Sequence, residues 1–234
     1  MKRSLVILLA ASLLIAGCKA GKQSPADSNV KQEKTDSAKV EKVKEVKAEE
    51  DTTLNKNVEP SKEEMNKEPK YRIQTSKGEF VIKLYDETPL HKENFMKLAE
   101  SGFFDGICFH RVINGFMVQV GDPFTKDSTK TNRWGEGGPG YTIPAEIVPG
   151  LTHKKGALAA ARRGDSVNPA KESSGSQFYI VQDESGCKHL DGEYSIFGEV
   201  ISGLDVIDRI ASVATDFADK PIDRIDILSV TREK

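Results

Sequence analysis

The chain has 234 residues, a length that fits one or two domains. Hydrophobic residues make up 37% of the chain and charged residues 30%, so a core must be concentrated in part of it. Lysine and arginine together number 34, against 36 aspartate and glutamate residues, and this balance excludes the basic footprint of a nucleic-acid-binding protein. We therefore expect no nucleic-acid partner.

The first segment, residues 1–17, is predicted to be an export signal. Basic residues open it, and residues 5–14 form an apolar stretch too short to span a bilayer. The string LIAGC at residues 14–18 resembles the bacterial lipoprotein cleavage box. In that family the signal is cut before the cysteine, which is then lipidated, so the resemblance implies Cys18 as a lipidation site. An ordinary cleaved signal followed by a chance cysteine is the alternative.

Lipidation would attach the protein to a membrane. One acyl chain gives only marginal binding, and the bacterial modification, as the resemblance implies, supplies several. Lys19 follows the cysteine, at a position where an aspartate would resemble the inner-membrane retention signal of some bacteria. The expected location is therefore the bacterial cell envelope, lipid-anchored and extracytoplasmic, with the outer membrane favoured in a Gram-negative host.

Residues 18–69 differ in composition from everything that follows. No aromatic residue occurs between Cys18 and Tyr71, and residues 19–70 hold twelve lysines against twelve aspartates and glutamates. Such a segment buries too little apolar area to offset the entropy of ordering it. We expect a disordered Lys/Glu-rich linker, and the valines that recur every third residue leave a transient helix as the alternative.

Residues 70–234 have a globular composition and a normal size for one domain. Alternating apolar residues predict strands, and a helix is predicted to start with Thr88 as its cap and Pro89 at its first position and to end at Gly102. A second helix should begin near Leu204. The predicted strands are residues 71–75, 79–85, 107–112, 116–120, 157–161, 177–182, 195–200 and 222–230. Short strands at hairpin spacing with two isolated helices favour a closed antiparallel barrel capped by helices.

The cysteines are three in number, and an odd count argues against a disulfide framework. No clustered Cys/His spacing indicates a structural metal, so we expect none. Cys108 lies in an apolar strand and is expected in the core. Cys187 lies in a loop of glycine, serine and lysine and is expected to be a free, exposed thiol.

Residues 109–122, with the sequence FHRVINGFMVQVGD, are similar to the signature of the cyclophilins. Four further blocks occur in the order that the family has them: residues 135–138, 174–180, 190–192 and 197–198. Together they cover the chain from Tyr71 to its end. The resemblance implies a mainly β fold, a closed eight-stranded antiparallel barrel with a helix at each end.

The resemblance also implies peptidyl-prolyl cis-trans isomerase activity. An X-Pro bond rotates over a barrier of about 18–20 kcal/mol because rotation breaks amide resonance. In the twisted amide the prolyl nitrogen can accept a hydrogen bond, and a guanidinium can donate one without losing its charge. Arg111 matches the family's catalytic arginine. Catalysis would stabilise the rotated amide and would need no cofactor, metal or covalent intermediate.

The other positions carried over from the family would hold the substrate. Phe116 and Met117 match its proline pocket, Gln119 and Gln177 match groups that bind the flanking peptide backbone, and Ala161 lies on the strand along which substrate is placed. The full set of implied substrate-binding residues is Phe116, Met117, Gln119, Ala161, Arg162, Gln177, Tyr179, His189, Leu190 and Tyr194.

Several of these positions depart from the family pattern. Arg162 stands where most members have asparagine, although that contact is largely made by the main chain. Tyr179 replaces a phenylalanine, and His189 and Tyr194 stand where eukaryotic members have tryptophan and histidine. Two loops are longer than the family's minimum, at residues 123–134 and 165–174. These departures bear on substrate preference more than on the reaction.

Two other enzyme classes can be weighed from the residues. His110 and Ser176 suggest a nucleophile and base, but no G-x-S-x-G elbow is present, and His110 is interpreted as structural. Residues 135–140 satisfy G-x-G-x-x-G, but prolines there prevent a helix from starting, so a dinucleotide site is rejected in favour of a tight turn.

The leading hypothesis is a folding enzyme, monomeric, that accelerates X-Pro isomerisation in proline-containing envelope or secreted polypeptides. Uncatalysed isomerisation takes tens to hundreds of seconds and can limit folding. The alternative is a proline-peptide binding scaffold or chaperone with little turnover. Arg111 discriminates between them, because binding needs the pocket alone and catalysis needs the donor.

Overall fold

The computed structural model describes residues 67–234. The strands are β1 Lys70–Thr75, β2 Gly78–Leu84, β3 Arg111–Ile113, β4 Met117–Val120, β5 Thr142–Ile143, β6 Ala157–Arg162, β7 Ser173–Val181, β8 Ile196–Ser202 and β9 Ile227–Arg232. The helices are α1 Pro89–Glu100 and α2 Leu204–Ala211, and short 3-10 turns span Pro123–Lys126, Ser128–Arg133 and Lys188–Leu190. The fold is therefore mainly β.

All pairings in the sheet are antiparallel. Eight strands follow one another in the order β3-β4-β7-β6-β8-β2-β1-β9, and β5 pairs separately with β7. Strand pairing thus gives an open half-barrel whose outer members are β3 and β9. The expected eight-stranded antiparallel arrangement is confirmed, whereas regular pairing does not close it.

Backbone hydrogen bonds outside the regular strands link the two ends of this path. Phe109 N donates to Ile225 O at 2.9 Å, and Ile227 N donates to Ile107 O at 2.8 Å. A side chain satisfies another backbone group in this region, since Cys108 N donates a hydrogen bond to Thr125 Oγ1 at 3.1 Å. The two backbone bonds form an isolated antiparallel bridge between Cys108 and Asp226. Of the strands predicted at residues 107–112 and 222–230, β3 and β9 confirm residues 111–112 and 227–230. The remainder is not regular strand, since several of its backbone groups pair with loops and side chains instead.

Side chains on the two faces of the sheet enter two separate apolar clusters, because successive residues of a strand point to opposite faces. The inner face builds the main core, with Phe95 of α1 and Ile207 of α2 packed into it. The outer face of the same strands builds a smaller group that we call the pocket cluster. Its buried members are Tyr85, Met117, Ala157, Ala159, Tyr179, Val181, Cys187 and Ile196.

Helix α1 is capped by a distant residue. Thr88 occupies the N-cap position, but its side chain makes no capping bond and its buried hydroxyl has no hydrogen-bond partner. Instead the Glu146 carboxylate accepts hydrogen bonds from Leu90 N at 3.0 Å and His91 N at 2.9 Å. The predicted Thr88 cap is therefore wrong, since a carboxylate satisfies two free N–H groups at the positive end of the helix.

Neither helix within residues 67–234 is long and apolar enough to cross a membrane. The signal predicted at residues 1–17, the lipidation predicted at Cys18 and the linker predicted over nearly all of residues 18–69 lie outside the described residues.

Candidate active site

The register of four neighbouring strands brings the predicted site residues into one row. Arg111 of β3 faces Gln119 of β4, Gln119 faces Tyr179 of β7, and Tyr179 faces Ala159 of β6. Residues two positions along each strand share the same face, which places Met117 beside Gln119. One face of the sheet thus carries residues separated by up to 68 positions in the chain.

A cavity of about 120 Å³ opens on this face. It is smaller than the pockets that take drug-sized ligands, which measure roughly 300–1,000 Å³, and its size suits a single ring or side chain. The residues that line it are Arg111, Phe116, Met117, Gln119, Ala161, Arg162, Tyr179, Leu190 and Tyr194. The structure therefore brings together all but two of the residues that the sequence predicted for the site.

The remaining two residues, Gln177 and His189, lie next to the cavity. Gln177 accepts a hydrogen bond from Gln119 Nε2 at 3.0 Å and donates through Nε2 to Gly135 O and Gly137 O. This fixes the orientation of both glutamine amides beside a neighbouring depression of about 660 Å³. The His189 ring stacks on Phe116, with 6.0 Å between ring centroids.

Arg111 stands at the rim of the cavity with 43% of its side chain exposed. Its Nε lies 3.8 Å from Oδ2 of Asp219. Asp219 adopts a left-handed backbone conformation, with φ 59°, and its carbonyl accepts a hydrogen bond from Val112 N at 2.7 Å. No local pattern could predict this neighbour, because Asp219 lies 108 positions from Arg111 in an irregular loop.

Arg162 uses its side chain to hold the cavity wall together. The guanidinium is 5% exposed, donates through Nε to Glu193 O at 2.9 Å, and pairs with the carboxylates of Asp165 and Glu193. It also lies over the Tyr194 ring, 4.6 Å from its centroid. Arg162 therefore joins the long loop at residues 165–174 to the turn that carries Tyr194.

Tyr179, at the base of the cavity, takes part in a buried polar chain. Its hydroxyl lies 2.9 Å from Nε2 of His153, and Nδ1 of His153 lies 2.8 Å from Oδ1 of Asp191. Burial lowers the pKa of His153 although Asp191 opposes the shift. Burial also opposes ionisation of Asp191, but the backbone and ring donors of His153 outweigh it and lower the pKa of that carboxyl group. Desolvation raises the pKa of Tyr179.

His110 is buried beside Arg111, and burial lowers its pKa to about 4, so the ring is neutral at pH 7. It is not paired with Ser176, whose hydroxyl donates to Gly121 O at 2.7 Å. The nucleophile-base alternative therefore fails on geometry.

The glycine-rich segment 135–140 forms a turn around the buried Asp122 side chain. Gly135 N and Gly137 N both donate to Asp122 Oδ2, and Phe124 N donates to Oδ1. A Cβ at Gly137 would lie 2.0 Å from Asp122 Oδ1, so only glycine fits. The interpretation of these glycines as a tight turn is consistent with this arrangement.

Cys187 is buried in the pocket cluster, and the expectation of an exposed thiol is wrong. Its backbone N–H donates to His153 O at 2.7 Å, which draws the loop inward. Burial raises the pKa of the thiol. Cys108 is buried in the fold, as expected.

Comparison with known proteins identifies the family of the chain. A family model described as cyclophilin type peptidyl-prolyl cis-trans isomerase/CLD matches residues 70–232. The chain is 40% identical over 156 residues to peptidyl-prolyl cis-trans isomerase-like 1 of Aspergillus fumigatus, which covers 66% of this chain and 89% of that protein.

Solved structures agree as well. A Cryptosporidium parvum cyclophilin type peptidyl-prolyl cis-trans isomerase superposes with a TM-score of 0.63 and 32% identity over 71% of this chain and 98% of that one. The structure of that protein in the presence of the dipeptide Ala-Pro gives a TM-score of 0.62 and 31% identity, covering 70% of this chain and 99% of that one. The chain belongs to the cyclophilin-type peptidyl-prolyl cis-trans isomerase family.

Proposed function

We propose that Arg111 accelerates X-Pro isomerisation by donating a hydrogen bond to the prolyl nitrogen of the twisted amide. The observation that carries this proposal is the position of Arg111 at the rim of a small cavity that is also lined by Phe116, Met117 and Leu190. A proline ring held in the cavity would place its nitrogen at the rim. The nitrogen accepts a hydrogen bond only when rotation has broken amide resonance, so the donor favours the transition state over both planar ground states.

The remaining site residues would hold the substrate without taking part in the rotation. Phe116, Met117 and Leu190 offer apolar surface to the ring. Gln119 and Gln177 carry amide groups fixed by their mutual hydrogen bond, and such preorganised groups suit the backbone of the flanking peptide. Ala161 lies at the edge of the cavity, where its main chain can pair with an extended substrate.

The test is NMR exchange between cis and trans forms of a short X-Pro peptide, measured with the full chain and its Arg111→Ala variant. Removing one preorganised donor typically costs about 10²–10³ in rate. We expect a loss of that size, with peptide affinity changed far less. Arg111→Lys is the matched control, since it keeps the charge but not the fork of donors, and it should recover only part of the rate.

The outcomes separate enzyme from scaffold. Near wild-type exchange in Arg111→Ala would contradict the assigned mechanism. If the wild-type protein binds X-Pro peptides but accelerates no exchange, it acts as a proline-peptide scaffold.

The envelope location is proposed from residues 14–18 and the signal preceding them. In this account Cys18 carries the lipid, residues 18–69 form a disordered tether, and residues 70–234 form the isomerase domain, a monomer that acts on envelope or secreted polypeptides. A random coil of about 50 residues would span roughly 40 Å between membrane and enzyme. The relatives reported above are eukaryotic, so this proposal depends on the sequence of this chain.

Cys18→Ser tests the anchor. It should abolish fatty-acid labelling and release the protein from membranes, and normal labelling would contradict the proposal. Brief proteolysis tests the tether, because cleavage should fall within residues 19–70 and leave a stable core that begins near Tyr71. Resistance throughout that segment would show that it is ordered.

A further inference from the structure

We propose that His153, held by Asp191, is a positioning residue that fixes the Tyr179 ring as a wall of the proline cavity. This inference rests on the proposed role of the cavity in holding the proline ring. It goes beyond that role because His153 itself does not line the cavity and was not predicted from the sequence.

The geometry ties His153 to both sides of the site. Its ring lies parallel to the Tyr179 ring, with 6.0 Å between centroids and 8° between planes, and Nε2 meets the Tyr179 hydroxyl at 2.9 Å. On the other side, the backbone N–H and Nδ1 of His153 both contact Asp191 Oδ1 at 2.8 Å. The turn that contains Asp191 also carries Leu190 and Tyr194, two further walls of the cavity.

The polar groups of this chain can be satisfied in only one way with a neutral ring. Asp191 is a carboxylate and can only accept, so Nδ1 of His153 must carry the proton and donate. Nε2 is then the acceptor, and the Tyr179 hydroxyl donates to it. The direction of every hydrogen bond is therefore set by Asp191, which orients the phenol through His153.

The Tyr179 ring packs against other side chains that line the cavity. It meets Tyr194 edge-on, with 5.7 Å between centroids, and Tyr194 in turn lies under Arg162. A phenylalanine at position 179 would need no polar partner. A buried phenol without its acceptor would carry an unsatisfied hydroxyl and would favour rotation of the ring away from the cavity.

The experiment measures peptide affinity and the on-enzyme interconversion rate by NMR, together with unfolding free energy, for the full chain. His153→Ala should weaken X-Pro peptide affinity by about tenfold, the scale of one lost buried hydrogen bond. The on-enzyme rate should stay within about twofold, since Arg111 is untouched. Tyr179→Phe should keep affinity within about twofold, since phenylalanine leaves no buried hydroxyl to satisfy, and in that background His153→Ala should cost little further affinity.

The matched control is His91→Ala. His91 is also buried and also pairs with a carboxylate, with Nδ1 2.6 Å from Glu146 Oε2, but it does not line the cavity. It should lower stability and leave peptide affinity unchanged. If His153→Ala does not fold, Asp191→Asn tests the same chain of hydrogen bonds. It should weaken peptide affinity by less than the tenfold expected for His153→Ala.

Three results would overturn the inference: unchanged affinity in a folded His153→Ala, an equal loss of affinity in His91→Ala, or a His153→Ala loss that is as large in the Tyr179→Phe background as in the wild-type protein. Phe116→Ala distinguishes this from failure of the proposed function. If Phe116→Ala keeps full affinity, the cavity is not the proline site, whereas if it loses affinity and His153→Ala does not, only the positioning role is wrong.

Discussion

The main core and the pocket cluster lie on opposite faces of the same strands, and they differ in chemistry. The main core consists of aliphatic and phenylalanine side chains, with Tyr71 as its single titratable member among the described residues. The pocket cluster includes Tyr85, Tyr179 and Cys187, and Tyr179 bonds to a buried histidine. Adjacent residues of one strand therefore have different roles: one packs into the main core and the next packs into the pocket cluster beside the cavity.

Substitutions on the two faces should therefore have different consequences. Changes on the outer face alter cavity walls that are supported by a few polar contacts, such as those of Arg162 and His153. Changes on the inner face alter a close-packed interior, where a lost methylene leaves a cavity that the structure cannot fill.

Phe178→Ala, on the inner face, should have the largest effect on stability. The Phe178 ring packs against Phe95, Phe104 and Phe197, at centroid distances of 5.7, 5.8 and 6.3 Å. We expect the free energy of unfolding to fall by about 3–5 kcal/mol. Urea denaturation measures it, with Val167→Ala, at an exposed position, as the control that should change little. A loss below about 1 kcal/mol would contradict the assignment of Phe178 to the core.

Lowering the pH should reduce the free energy of unfolding through a buried histidine, His110, and not through the apolar side chains of the main core. The pKa of His110 is about 4 in the folded chain, against an ordinary value of 6.5. Between these two values the unfolded chain binds a proton that the folded chain does not, so stability falls as the pH falls from about 6.5 to 4. Protonation of His110 should lower the free energy of unfolding by about 3 kcal/mol once the pH is below 4. Denaturation midpoints measured across this range should decline less steeply in His110→Gln, and parallel declines would refute the prediction.

Phe116→Ala makes the same kind of substitution on the outer face, with a smaller cost. Phe116 is half-buried, packs against the pocket cluster and stacks on His189. We expect peptide affinity to fall about tenfold through lost apolar contact, with a change in unfolding free energy well below that of Phe178→Ala. Titration of an X-Pro peptide, with unfolding measured in parallel, gives both numbers. Equal destabilisation by the two substitutions would remove the distinction between the faces.

The parts of this fold that follow from short-range patterns could be predicted. Alternation of apolar residues predicted β1, β2, β4 and β8, and the resemblance of residues 109–122 to the cyclophilin signature predicted the site residues. The parts that depend on distant partners could not. Glu146 replaces Thr88 as the cap of α1 from 58 positions away, and no local pattern signals that contact.

The polar support of the cavity was missed for the same reason. His153 contacts Tyr179 and Asp191, which lie 26 and 38 positions further along the chain. No motif around His153 in the sequence predicts these contacts. Cys187 was assigned to the surface from loop composition, whereas one backbone hydrogen bond to His153 draws it into the pocket cluster. The resemblance thus predicted most of the residues that line the cavity but not the contacts that fix its shape.

The most direct test of the division between the two faces compares the neighbours Arg111 and Val112. Arg111 is exposed at the rim of the cavity, and Val112 is buried in the main core. Both are changed to alanine, and the cis-trans exchange rate and the free energy of unfolding are measured for each. We predict that Arg111→Ala lowers the rate by about 10²–10³ with stability nearly unchanged, and that Val112→Ala lowers stability by about 2 kcal/mol while the folded protein keeps its rate. An Arg111→Ala variant that retains its rate, or a Val112→Ala variant that loses rate without losing stability, would contradict the account.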